Sequence, residues 1–79
     1  RVAELRQTVS DAESRVSKLT EIHEKISARL ADPDMYAPSR QTEYATWQKK
    51  FVEVEDGLER AEALWMKALE RLESATGKS

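Results

Sequence analysis

Apolar residues in the first part of the chain fall at Val2, Leu5, Val9, Ala12, Val16, Leu19, Ile26 and Leu30, and His23 fills the one polar position of the series. The steps are three and four throughout, the spacing that lines one face of an α-helix as a heptad seam. The same spacing resumes at Tyr44 and runs through Trp47, Phe51, Val54, Leu58, Ala61, Trp65, Ala68, Leu72 and Ala75. Between the two runs lies Asp32-Pro33-Asp34-Met35-Tyr36-Ala37-Pro38-Ser39, rich in turn-forming residues, and Pro33 breaks any helix that would continue through it. The pattern predicts helices over about residues 2–31 and 40–75, joined by an Asp-Pro turn at about 32–39. Asp32 before Pro33 is the expected N-cap of a single turn, and Ser39 after Pro38 the expected N-cap of the second helix.

So short a connection favours return of the second helix along the first. The expected fold class is all-α, a two-helix antiparallel coiled-coil hairpin forming one domain over residues 1–79. Placing Leu30 opposite Tyr44 sets Ile26 against Trp47, His23 against Phe51, Leu19 against Val54 and Val16 against Leu58. The series continues with Ala12 against Ala61, Val9 against Trp65, Leu5 against Ala68 and Val2 against Leu72. Bulky residues face smaller ones across many layers, as an interdigitated core requires, and the Ala12–Ala61 layer permits close approach of the two backbones. Acid-then-base pairs four apart, Asp11 with Arg15, Glu21 with Lys25 and Asp56 with Arg60, favour helix and carry no functional meaning. Gly57 reads as a tolerated surface glycine within the second helix.

Composition narrows the function classes. A chain of 79 residues supports one small domain and no deep catalytic cleft. It contains no cysteine, which removes disulfide frameworks, thiolate metal sites and thiol nucleophiles. Charged residues make up 35% of it and only two glycines and two prolines occur, a balance that suits long solvated helices. The sequence opens on Arg1 with no apolar leader or membrane-length segment, and is read as a piece of a longer protein with a cytoplasmic location. The net charge of −2 argues against binding by bulk positive charge, so a basic footprint has to be local.

No residue set satisfies a catalytic requirement. The tail Gly77-Lys78-Ser79 resembles the end of a phosphate-binding loop, but Leu72 stands where that motif needs glycine and no strand precedes it. His23 has no cysteine beside it and too few ligands for a structural metal, so a seam histidine against Phe51 is the simpler account. The serines lack a base, and a two-helix rod offers carboxylates no enclosing pocket. No catalytic residue, metal ligand or cofactor is assigned to this chain.

The remaining features point to binding. Of the five aromatic residues, Tyr44, Trp47, Phe51 and Trp65 occupy the seam, leaving Tyr36 in the turn as the one placed to meet a partner. Lys25, Arg29, Arg40, Lys49 and Lys50 lie toward the same end and form the candidate phosphate contacts, with Tyr36 as a candidate stacking residue. Dividing the rod across its middle gives the turn half seven basic and seven acidic residues and the other half six and eight, so the turn end is only relatively basic. Near the end of the second helix, Leu64, Trp65 and Leu69 widen the apolar stripe beyond what a two-helix seam uses, a candidate surface for self-association or docking.

At Leu30-Ala31-Asp32-Pro33-Asp34-Met35-Tyr36 and at Ala61-Glu62-Ala63-Leu64-Trp65 the chain resembles the C-terminal coiled-coil domain of ABC-F family ATP-binding cassette proteins, the Uup-like branch in particular. The resemblance covers mainly residues 16–73. It departs at Ala12-Glu13, where the family often has a leucine-proline pair, and at His23, where the family has an aliphatic residue; a straighter first helix is expected. The resemblance implies a parent with two ATP-hydrolysing cassettes, which use ATP and magnesium, and an appendage that engages DNA or ribosomal RNA. The expected function is therefore a non-catalytic nucleic-acid-binding appendage. The alternatives are a structural module for self-association or docking on the parent, and a hairpin arm like the tRNA-contacting one of valyl-tRNA synthetase, which lacks the Asp-Pro turn.

Overall fold

A computed structural model describes residues 2–77, so Arg1 and the Lys78-Ser79 end of the loop-like tail lie outside the described residues. Among those described, the chain is all-α: α1 spans Val2–Ala31, two short 3-10 turns span Pro33–Tyr36 and Pro38–Arg40, and α2 spans Gln41–Ala75. At about 1.5 Å per residue the two helices would exceed 90 Å end to end, yet the molecule measures 58 × 17 × 14 Å. They therefore lie side by side. The radius of gyration, 17.6 Å, is well above the roughly 12 Å of a compact domain of this length.

The heptad pattern reappears as burial. All nine α1 seam positions from Val2 to Leu30 are buried or half-buried, as are the α2 positions from Tyr44 to Leu72 in the same series; Ala75, in the last turn, is exposed. The deepest residues are Ile26, Met35, Ala61 and Ala68. Ala61 and Ala68 flank Trp65 on its own face of α2, leaving room for the indole where a second large side chain would collide. Cross-helix contacts fix the register. The imidazole of His23 lies 4.8 Å from the ring of Phe51, with its Nε2 3.4 Å from Glu55 Oε2. The guanidinium of Arg29 sits 5.2 Å from the centre of the Trp47 ring.

The turn is built by Asp32. Its side chain accepts from the Asp34 amide at 3.0 Å, with Pro33 in the first position of the turn, where a missing amide proton costs nothing. The Asp32 carbonyl then accepts from the Met35 amide at 3.0 Å. This tight loop drives Met35 inward, to 1% exposure, as a plug across the end of the seam. The second cap departs from expectation: Ser39 lies inside the Pro38–Arg40 turn, and α2 starts after Arg40 with no side-chain cap. A bidentate ion pair in the first turn stands in its place, Arg40 Nε and Nη2 donating to Glu43 at 2.9 and 3.1 Å.

Gly57 leaves α2 uninterrupted, and a Cβ at that position would meet nothing within 4 Å. Gly77 has a structural use of its own. With φ of 78° it ends α2 in the left-handed conformation that glycine adopts without strain, while the Thr76 and Gly77 amides satisfy the Leu72 and Ser74 carbonyls.

Candidate nucleic-acid interface

The five candidate phosphate contacts of the turn half do not form one patch. Arg40 is half-buried and committed to Glu43, whose carboxyl is held below its usual value of 4.5 by that hydrogen bond first, and further by the charges of Arg40 and Arg29. Arg40 is thus engaged within the first turn of α2. Lys49 is exposed but occupies the heptad position farthest from the seam, facing away from α1. Lys25, Arg29 and Lys50 remain.

These three converge on Trp47. One open depression of about 490 Å³ is lined by Lys25, Ala28, Arg29, Asp32 and Trp47. A second, of about 390 Å³, is lined by Ile22, Lys25, Ile26, Trp47, Lys50, Glu53 and Val54. The two share Lys25 and Trp47 and so adjoin, making a grooved area beside Trp47. Its floor is apolar and its rim carries three cations and two carboxylates, Asp32 and Glu53. Arg29 is exposed, and its guanidinium 5.2 Å from the indole centre lies within cation–π reach of Trp47.

Tyr36 is 60% exposed but not loose. Its hydroxyl donates to the Leu30 carbonyl at 2.7 Å and its ring packs 5.1 Å from that of Tyr44. Shielding of the hydroxyl end raises its pKa above the ordinary 10.0, and the neighbouring Tyr44 phenol adds to the rise. The phenol is a neutral donor at neutral pH, holding an exposed ring in a fixed orientation.

Compared with protein-family models, curated proteins and solved structures, the chain matches none.

Two other surfaces complete the picture. On another part of the molecule His23, Val52, Glu55, Asp56, Leu58, Glu59 and Glu62 line an acidic depression, a poor place for a polyanion; among the described residues no group of three or more His, Asp or Glu is arranged to hold a metal ion. The widened stripe of α2 is divided. Leu64 is 62% exposed while Trp65 and Leu69 are half-buried. Leu64 and Leu69, five residues apart, stand about 140° apart around the helix, so they flank Trp65 on opposite sides and do not form one face. No described helix is long and apolar enough to cross a membrane.

The sequence pattern missed Met35, Glu43, Glu53 and Ile22. Met35 had a signal, a large apolar residue three positions after an Asp-Pro cap, and so had Glu43, three positions after Arg40 at a helix start. Glu53 and Ile22 flank the seam, and only the interhelical register brings them to the groove.

Proposed function

We propose that the chain is an antiparallel coiled-coil hairpin that works as a non-catalytic nucleic-acid-binding appendage, holding phosphates on Lys25, Arg29 and Lys50 beside Trp47. Support for the antiparallel return comes from register: the α1 partner number rises from His23 to Arg29 while the α2 partner number falls from Phe51 to Trp47. The observation that carries the functional reading is the sharing of one depression by Lys25 of α1 and Lys50 of α2, since two cations from different helices beside an aromatic ring suit a phosphodiester chain. The resemblance at Leu30–Tyr36 and Ala61–Trp65 supports placing this appendage on an ABC-F ATPase, with DNA or ribosomal RNA as ligand and with ATP and magnesium confined to the cassettes. A cytoplasmic location belongs to the same reading.

Titration of the chain with duplex DNA and with structured RNA at two salt concentrations tests this. Binding that weakens with salt and is reduced by Lys50→Glu, but much less by Lys49→Glu, is the expected result. Absence of binding to duplex DNA, to structured RNA and to an unstructured single strand at low salt removes the reading.

A second reading is favoured by one observation, the 62% exposure of Leu64: a structural module that self-associates or docks on its parent. Sedimentation distinguishes it. A dimer abolished by Leu64→Glu supports this alternative, and a strictly monomeric chain at high concentration removes self-association.

A further inference from the structure

Resting on the nucleic-acid reading, we infer that the groove over Trp47 is a single-strand site, built to take unpaired nucleotides in preference to a duplex. Five observations support this. The two depressions adjoin at Lys25 and Trp47, which line both. The α1 side of the groove, from Ile22 to Asp32 just past the helix end, is about 15 Å long, the length of roughly four nucleotides at the 3.4 Å spacing of a stacked strand.

Its floor is apolar. Ile22, 43% exposed, lies with Ile26, Trp47 and Val54 in the half that also holds Lys50. A duplex offers such a floor only its sugar-phosphate surface and groove edges, burying no base face, whereas an unpaired base can lay its flat face on apolar and aromatic side chains.

The charge is small. Three cations against Asp32 and Glu53 leave the groove a single net positive charge, too little to hold a duplex by counterion release alone, so base contact has to supply most of the affinity. Arg29 already covers part of Trp47 at 5.2 Å, and a guanidinium held on an indole is positioned to meet a phosphate with its edge while an adjacent base takes the remaining ring surface.

The test uses the fluorescence of Trp47. Trp65→Phe leaves Trp47 as the only indole and is a mild change, because Trp65 Nε1 is buried without a hydrogen-bond partner and its loss strands no acceptor. This variant is titrated with an unstructured thymidine oligonucleotide of about twelve nucleotides, a length within single-strand site sizes, and with a duplex of equal length. The single strand is expected to quench Trp47 and to bind at least fivefold tighter than the duplex. Two to three phosphate contacts should weaken single-strand binding about seven- to twentyfold between 50 and 200 mM salt. Lys50→Glu and Ile22→Ser, with helicity checked by circular dichroism, should each weaken it fivefold or more. Equal or tighter duplex binding with Trp47 unquenched overturns the single-strand inference and leaves nucleic-acid binding standing. If neither ligand binds at low salt, both fall.

Discussion

His23 of α1 and Phe51 of α2 lie ring to ring at 4.8 Å, so the one polar position of the α1 seam is also a cross-helix contact. The imidazole spends part of its surface on Phe51 and turns Nε2 toward Glu55, an exposed ion-pair geometry that contributes little net stability. An apolar side chain would fill the layer better. His23→Leu is expected to stabilise the chain by about 1 kcal/mol, read as a rise in melting temperature of several degrees; an unchanged or lower melting temperature would mean that the Glu55 contact matters more than packing.

Gly57→Ala should also stabilise. The added methyl meets nothing within 4 Å, so the change removes backbone freedom from the unfolded chain at no steric cost, worth about 0.5–1 kcal/mol. Urea denaturation at fixed slope measures it.

Met35→Ala should do the reverse. Met35 is the most deeply buried large side chain, and emptying its site costs about 2–3 kcal/mol. Thermal melts should fall by about 10 °C or more, with helicity at low temperature retained.

Acid should loosen the start of α2. The Glu43 carboxyl, held low by the Arg40 hydrogen bond, contributes stability that is present above its unfolded value of 4.5 and lost as pH falls through its lower folded value. Melting temperatures of the native chain should drop across that acid range by more than those of Glu43→Gln, which lacks the titrating group. Parallel curves for the two proteins would contradict this role.

The heptad spacing made the two long helices and their seam legible, because three-and-four spacing is a property of one face and burial follows it position by position. The Asp32-Pro33 cap was legible for the same local reason. What escaped notice depended on geometry between elements. Ser39 lost the cap to the Pro38–Arg40 turn, which a second proline imposes. Arg40 and Lys49 looked like equal members of a basic patch with Lys25 and Lys50, but one is spent on Glu43 and the other faces outward. The stripe around Trp65 looked like one face in a linear reading, yet a five-residue step sends Leu64 and Leu69 to opposite flanks.

The central claim, that α2 returns along α1 within one molecule, is tested most directly by a cysteine pair. The chain has no native cysteine, so Ala12→Cys with Ala61→Cys places the only two thiols at the seam positions that the heptad register sets opposite each other. Mild oxidation of dilute protein is expected to give a monomer closed by an internal disulfide, while an Ala3→Cys/Ala61→Cys control stays unlinked. Free thiols, or only disulfide-linked dimers, in the Ala12/Ala61 protein would contradict the fold-back and the two-helix groove that depends on it.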